Sequence, residues 1–445
     1  MRFRQLFCRI AHLVRHPRFA PCCFTIVVLG LICGLLFTGL RKGGAFDPED
    51  FNDFKAYHSA AEAALRGDLQ AAYDTDTPKP YQYPPTLASL ILPLGLVSYR
   101  VGLCIWIAVS LAILLWSFRV LDRVLCPPVK GIDKFFGLLL AFRAIESDFA
   151  NSNANVMVFG LVLFGFALER RAWSFRAGLA IALATCIKVS PVLLVPWMLY
   201  RRRWRLAGGF AVGLVLWGAL VPGTILGPTP LAESWRTWYQ GLLAPLDVTA
   251  EEYTLEAPGG YLPGQSVKAL VHRLGRPIDA TAHDRTADGS PKMVTINAFD
   301  VSKTTADVIY LGLAAAILGG LLFFFWKRGR DVGHQATWGG AEIAVAILLT
   351  VLLSPLARKA HFVVLLPAAT YGFMLARVST GWRRRLLSAL WIVALALLVL
   401  TSREVVGKSL STILVAYCPF ALAAILLAIM PLFTAPAPTF PPPRP

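Results

Sequence analysis

The sequence predicts an all-α integral membrane protein with about ten to twelve transmembrane helices. Of its 445 residues, 56% are hydrophobic, and the mean hydropathy is +0.60. Only 16% are charged, where a soluble protein carries about 25%. The charges are clustered, and the apolar stretches between them approach the ~20 residues that cross a bilayer. Because lipid offers the backbone no hydrogen-bond partner, we expect these stretches to be helical.

The net charge of +17 does not indicate nucleic-acid binding, since the basic residues fall in short runs between apolar segments and so reflect membrane topology. The eight cysteines show no CxxC spacing and are expected to be packing residues. Residues 21–40 follow an arginine-rich N-terminus without a cleavage-site pattern. They are therefore predicted to be an uncleaved first span.

Basic residues in short loops mark the cytoplasmic side. The clusters placed there are the arginines among residues 2–18, Arg170–Arg171–Arg176, Arg201–Arg202–Arg203–Arg205, Lys327–Arg328–Arg330 and Arg377–Arg383–Arg384–Arg385. Later spans are predicted near residues 206–223, 305–326, 340–356, 360–376, 386–401 and 409–431. This topology predicts one transmembrane domain over residues 1–433, with outer loops at about 41–85 and 224–303 that carry short interfacial helices. The proline-rich residues 434–445 are predicted to be a disordered tail.

Three stretches of the N-terminal half, 86–98, 135–147 and 176–199, are short or interrupted. The last contains Lys188 and Pro191 within an apolar run. If the arginine clusters that flank it are both cytoplasmic, it should enter the membrane and turn back; if it crosses once, one of the two clusters lies outside. Broken helices are tolerated where they line a cavity.

Polar residues suited to catalysis concentrate in the predicted outer segments. In the first outer loop, Asp53 and Tyr57 share one helical face, and a carboxylate at the interface could act as a general base; an ordinary acidic loop is the alternative. Asn151, Asn153 and Asn155 alternate at the entrance of an apolar span, where helix capping would account for one amide.

Cations form the second group of candidates. Lys188 within an apolar run is a functional hypothesis by default, with snorkelling as the alternative. Arg358, Lys359 and His361 lie in a hairpin turn predicted to be outside and would suit an anionic phosphate, or they form a basic turn without function. Gln265, in the long outer loop, could contact a sugar. Together these segments offer a base, phosphate-binding cations and sugar-binding groups at one membrane face.

These residues resemble glycosyltransferase family 87, which includes the polyprenyl-phosphate-mannose-dependent mannosyltransferases of phosphatidylinositol mannoside synthesis. Asp53-Phe-Lys-Ala-Tyr57, Gly67, Tyr73 and Tyr83-Pro84-Pro85 look like its first outer loop. Gly178 with Lys188-Val-Ser-Pro191 is similar to its Gly…Lys-x-x-Pro stretch, and Ser354-Pro355 with His361 to its late Ser-Pro…His motif. The sequence has Ser152-Asn153 where the family has Gly-Gln. The resemblance runs from about residue 46 to 367.

The resemblance implies a GT-C-type polytopic helical bundle that transfers a sugar, with inversion, from a polyprenyl-phosphate donor. Asp53 would be the general base, and Lys188, Arg358 and His361 would hold the donor phosphate. Candidates for substrate binding are Tyr57, Tyr83, Asn153, Asn155 and Gln265. The acceptor would be a glycolipid, glycan or protein. No cofactor is expected, and no metal is obviously required. The protein would lie in the cell (inner) membrane, with its site on the periplasmic face.

A transporter or flippase of an anionic lipid-linked substrate is the alternative from another class. Such proteins often contain internal repeats with paired broken helices, and none is visible here. A polyprenol-dependent transferase of another GT-C family, or an enzyme like the O-antigen ligases, is a further alternative.

Overall fold

The computed structural model describes residues 19–45, 52–74, 80–125, 129–243, 264–279, 294–331 and 339–433. Within these ranges the chain forms helices and no strand, as predicted. The α-helices are α1 (Phe19–Lys42), α2 (Asp53–Leu65), α3 (Pro85–Leu90), α4 (Tyr99–Leu125), α5 (Gly131–Ala150), α6 (Asn155–Glu169), α7 (Ser174–Ile187), α8 (Val195–Tyr200), α9 (Trp204–Val215), α10 (Val221–Leu226), α11 (Pro228–Trp238), α12 (Val267–Gly275), α13 (Lys303–Asp331), α14 (Gly340–Leu352), α15 (Leu365–Val378), α16 (Gly381–Leu400), α17 (Arg403–Ala416) and α18 (Pro419–Ile429). The N-terminal arginines and the proline-rich tail lie outside the described residues.

Arginine–carboxylate pairs gather at one end of the bundle, which we call the basic end. Arg201 binds Glu342 at the start of α14 through two contacts of 2.6 Å. Arg377 at the end of α15 binds Asp133 in the first turn of α5 at 2.7 Å. Clusters that the sequence places on one side of the membrane thus meet at one end of the fold.

The stretch 176–199 follows the re-entrant path that the sequence predicts. Helix α7 rises from the basic end and stops at Lys188, where the backbone becomes extended. A 3-10 turn, Ser190–Leu194, and α8 then return the chain to Arg201. Arg203 lies 3.5 Å from Glu169, so the two arginine clusters flank the same end. Lys188 consequently sits at the tip of a broken hairpin.

Glycines bring α7 and α9 unusually close together. A Cβ on Gly209 would lie 2.1 Å from the Phe175 carbonyl oxygen, and one on Gly178 would lie 2.2 Å from the Leu206 carbonyl oxygen. Small residues permit such backbone approach between membrane helices. This contact fixes the position of α7 along the bundle axis, and with it the position of Lys188 at the end of α7.

We expect Gly209→Ala to lower the thermal unfolding temperature, because the added methyl group must push α7 away at a cost of about 1–3 kcal/mol. Gly208→Ala is the matched control, since a Cβ there meets nothing within 4 Å. Thermal unfolding of both purified variants measures the difference. Equal unfolding temperatures would contradict the close contact.

Several predicted spans match the helices. By length and composition, four helical segments within the described residues could cross a bilayer: Tyr99–Leu125, Trp204–Leu226, Lys303–Lys327 and Lys359–Val378. Five further apolar segments are shorter, at 10–17 residues. The total of ten to twelve spans stays a prediction.

The predicted span at 409–431 is wrong. Helix α17 makes an angle of 85° with α16 and ends at Ala416. Cys418 then adopts a left-handed conformation with φ of 53° before α18 begins. The bend is held by the Ser411 hydroxyl, which donates to the Thr401 carbonyl at 2.7 Å. Only α18 and the residues after it continue the bundle.

The end opposite the arginine pairs, which we call the site end, carries short surface helices. Stretch 86–98 is no span: it folds into α3 and a 3-10 turn, where a Cβ on Gly95 would lie 2.9 Å from the backbone of Ala61. Helix α11 packs on the same layer, since the Trp238 indole donates to the Gln82 carbonyl at 3.2 Å. These elements hold α2 against the bundle.

Candidate functional site

The first turn of α2 is tied to the segment between α5 and α6. Asn52 caps α2 by accepting from the Phe54 amide at 3.0 Å, as asparagine commonly does at this position. Its side-chain amide donates to the Ser152 hydroxyl at 2.8 Å. The Asp53 amide donates to the Asn151 carbonyl at 3.0 Å. Asp53 is thereby placed beside the asparagine-rich segment.

Asp53 and the asparagines form one connected network. The Asn153 amide nitrogen donates to Asp53 Oδ2 at 2.5 Å. Asn153 Oδ1 accepts from the Tyr83 hydroxyl at 2.7 Å and from Asn155 Nδ2 at 2.9 Å. Asn151 instead ends α5, where its side chain donates to the Ser147 carbonyl. Capping therefore accounts for one asparagine, and the other two belong to the network.

The network continues to the predicted cations. Lys188 Nζ donates to Asn155 Oδ1 at 2.6 Å. It also lies 2.9 Å from Nε2 of His361, whose Nδ1 accepts from the Arg358 backbone amide at 3.3 Å. The Arg358 side chain is exposed, and its charge acts on Lys188. Residues from 53 to 361 in the sequence thus meet in one polar site.

Asp148 is a site residue that the sequence reasoning did not select. It is 1% exposed, and its Oδ1 accepts from the Asn155 side chain at 2.9 Å and from the Asn155 backbone amide at 3.2 Å. Asp148 provides a negative charge next to Lys188. The signal was available, because a carboxylate at the end of a largely apolar helix meets the same criterion as Lys188.

Two tyrosine side chains line the site. Tyr57 and Tyr83 pack edge to face with ring centroids 5.1 Å apart, and Lys188 Nζ lies 5.4 Å from the centre of the Tyr83 ring. Burial raises the pKa of both hydroxyls above the ordinary value, and the Asp53 charge adds to this. Tyr83 therefore stays a neutral hydrogen-bond donor to Asn153 at physiological pH.

Gln265 is not brought into this network. Its side-chain amide donates to the carbonyls of Gly264 and Val415 at 3.1 and 2.9 Å, and its backbone amide donates to the Ala357 carbonyl at 2.7 Å. Its contacts are therefore with Gly264, with the end of α17 and with the turn before Arg358. The sugar-contact role of Gln265 stays a prediction.

A narrow pocket runs into the bundle from the polar network. Asn155, Lys188 and His361 lie among its polar lining residues, and most of the remaining lining is apolar, including Phe159 of α6 and Ile347 of α14. The pocket thus joins charged groups to an apolar wall, which is the chemistry of an amphiphilic ligand with an anionic head.

Fold and site together define a polytopic α-helical membrane protein with a buried network of acids, amides and cations. The sequence profile of glycosyltransferase family 87 matches residues 81–355, well over half of the chain. The chain belongs to glycosyltransferase family 87.

Two curated relatives carry the same name, polyprenol-phosphate-mannose-dependent alpha-(1-2)-phosphatidylinositol pentamannoside mannosyltransferase. The protein from Mycolicibacterium smegmatis is 28% identical over 202 residues, or 43% of this chain and 46% of the relative. The protein from Mycobacterium tuberculosis is 27% identical over 201 residues, or 43% and 44%. The chain thus spans a little less than half the length of these relatives. No solved structure matches.

The departure from the family's Gly-Gln pair has a structural counterpart. Ser152 adopts φ of 47°, a left-handed conformation that glycine reaches freely. The serine is held there by the hydrogen bond from Asn52. Asn153, where the family has glutamine, supplies an amide to Asp53 in the same way that a glutamine could.

Proposed function

We propose that this protein is a membrane glycosyltransferase that moves a sugar, with mannose the first to test, from a polyprenyl-phosphate donor to an acceptor hydroxyl, with inversion. The site would face the periplasm from the inner membrane. The observation that carries the proposal is the unbroken set of contacts from Asp53 through Asn153 and Asn155 to Lys188 and His361. These contacts support the proposal because they would put a base and a phosphate site side by side.

In this mechanism Asp53 takes the proton of the acceptor hydroxyl as its oxygen attacks the anomeric carbon. The bond between that carbon and the phosphate oxygen breaks on the opposite face, which inverts the configuration. Asn153 orients the carboxylate, and Tyr83 orients Asn153. Positioned general bases commonly contribute about 10²–10⁴-fold to a rate.

The contact between Lys188 and His361 supports an anion site. His361 Nδ1 accepts from the Arg358 amide, so the proton of a neutral ring lies on Nε2, facing the Lys188 ammonium. An ammonium has only donors, and two donors facing each other do not satisfy one another. A phosphate oxygen that displaces this direct contact would accept from both. Charge that develops on the leaving phosphate would then meet fixed donors.

The apolar wall of the pocket suits the lipid part of such a donor. The relatives' names specify a polyprenol-phosphate-mannose donor and a phosphatidylinositol mannoside acceptor, and we propose the same donor class here with a glycolipid as the first acceptor to test. Glycan and protein acceptors follow. We assign no role to a metal or cofactor. A transporter of anionic lipids would need the cations but not Asp53.

The test is a transfer assay with the purified protein in lipid nanodiscs, supplied with radiolabelled polyprenyl-phosphate mannose and a membrane lipid extract. Label appearing in new glycolipid products is the expected result. Label that moves across the bilayer of proteoliposomes unchanged, without new products, would replace the proposal with the transporter alternative.

We expect Tyr83→Phe to lower kcat about tenfold while the KM for the donor stays nearly constant. The variant keeps the ring beneath Lys188 and removes only the hydroxyl that fixes Asn153, at a cost typical of one buried hydrogen bond. Tyr99→Phe is the matched control, since its hydroxyl donates to the Gly43 carbonyl outside the network. A Tyr83→Phe enzyme with unchanged kcat would remove Tyr83 from the positioning of Asp53.

A further inference from the structure

A second buried ionic cluster lies at the site end, outside the network of Asp53 and Lys188. Asp307, in the first turns of α13, is fully buried. Its Oδ1 lies 2.7 Å from Lys268 Nζ and 3.1 Å from His272 Nε2. Lys268 and His272 are four residues apart and share one face of α12. One carboxylate therefore holds α12 against α13 at two points.

The histidine fits this role as a neutral ring. Burial lowers the pKa of His272 despite the Asp307 charge. Its Nε2–H can then donate to Asp307 while Nδ1 accepts from the Arg276 guanidinium at 3.1 Å. Both ring nitrogens are satisfied, whereas Nε2 of His361 faces the Lys188 ammonium. This cluster is therefore built for fixed geometry rather than for binding an anion.

The N-terminus of α12 in turn holds the turn that carries Arg358. The Ser266 hydroxyl caps α12 and donates to the Pro355 carbonyl at 3.1 Å. The Gln265 backbone amide donates to the Ala357 carbonyl at 2.7 Å. Arg358 is the next residue, and its own amide contacts His361. A continuous path of contacts thus leads from Asp307 to the proposed phosphate site.

We propose that Asp307 is a positioning residue for the donor-phosphate site, acting through α12 on the turn that presents Arg358. The inference rests on the proposed function for its kinetic consequence, but the coupling between Asp307 and the turn stands independently of any activity. Arg273 also anchors α12, through the Ala416 carbonyl at 2.9 Å. Loss of the Asp307 charge should therefore loosen α12 rather than release it.

The first experiment measures hydrogen exchange by mass spectrometry in Asp307→Asn and wild-type protein in nanodiscs. We expect faster exchange in peptides covering residues 264–270 and 354–362, and unchanged exchange in α6 and α7. Asp133→Asn is the matched control, because it removes a buried carboxylate paired with an arginine at the basic end. Ser266→Ala, which breaks the path at its second step, should repeat the effect on residues 354–362. Unaltered exchange in that turn for both variants would overturn the proposal.

The second experiment is a double-mutant cycle on transfer kinetics. Asp307→Asn should raise the KM for the donor about tenfold, with kcat changed by less than about twofold. In an Arg358→Ala background the same substitution should have no further effect on the donor KM, because residues that act in series are not additive. Multiplying effects would show that Asp307 does not act on the donor through Arg358. If wild-type protein transfers no sugar, the exchange result still decides the positioning, and only the proposed function fails.

Discussion

Asp53→Asn is expected to lower kcat for sugar transfer about 10²–10⁴-fold while both KM values remain near those of the wild type. Asparagine keeps the size of the side chain, and the backbone amide of residue 53 can still donate to the Asn151 carbonyl. The helix cap supplied by Asn52 is also untouched. Only the ability to take a proton is lost. Single-turnover and steady-state assays in nanodiscs measure the effect.

Glu62→Gln is the control for this prediction, because Glu62 is another carboxylate on α2 and contacts His58 rather than the network. It should transfer sugar at the wild-type rate. Full turnover by Asp53→Asn would show that Asp53 does not accept the proton. Asp148 would then be the next carboxylate to test as the general base.

Lys188→Ala is expected to weaken donor binding far more than acceptor binding. Truncating one member of a buried, hydrogen-bonded charge pair costs about 2–5 kcal/mol, which corresponds to at least about thirtyfold in affinity. The acceptor hydroxyl is expected to bind near Asp53 and should be little affected. Donor affinity measured with a non-transferable polyprenyl phosphate, beside the acceptor KM, separates the two effects.

Removing Lys188 also leaves Asp148 buried without its cation, so stability must be separated from binding. The double variant Lys188→Ala with Asp148→Asn removes both charges and should recover unfolding temperature without recovering donor affinity. Lys359→Ala is a local control, since this cation lies 3.7 Å from Glu146, a residue outside the network. Unchanged donor affinity in Lys188→Ala would eliminate its phosphate role.

The helical class and several spans could be predicted because hydropathy reports the length of apolar segments directly. The re-entrant path at Lys188 was one of two paths that the sequence allowed, and it was favoured because it keeps both flanking arginine clusters on one side. The break between α17 and α18 was not predictable, because residues 409–431 form one apolar run in the sequence. The break depends on the left-handed conformation of Cys418, which does not change hydropathy.

For the site, the sequence indicated individual residues but not their connections. Lys188 is a candidate because a charge within an apolar run is costly. The other candidates were selected because they lie in predicted outer segments: Asp53 on a helical face, Asn153 and Asn155 at the entrance of a span, and His361 in a basic turn. The pairing of Asn153 with Asp53 spans a hundred positions and follows from packing alone. Asp307 escaped notice because an acid at the start of a span is ordinary at an interface. Its burial by α12 is a tertiary property.

The re-entrant hairpin also sets the order in which the site can be assembled during synthesis. Consecutive helices carry Asp148, Asn155 and Lys188. The Asp148 carboxylate and the Lys188 ammonium can therefore offset each other's charge while the N-terminal half inserts. Arg358 and His361 are made more than a hundred residues later. We therefore expect the half that holds Asp53 and Asp148 to insert with Lys188 beside these acids, and the proposed phosphate site to be completed only when α14 and α15 dock. A chain truncated before residue 358 would keep the acids, the amides and Lys188 but lack the part of the proposed donor site that Arg358 and His361 form.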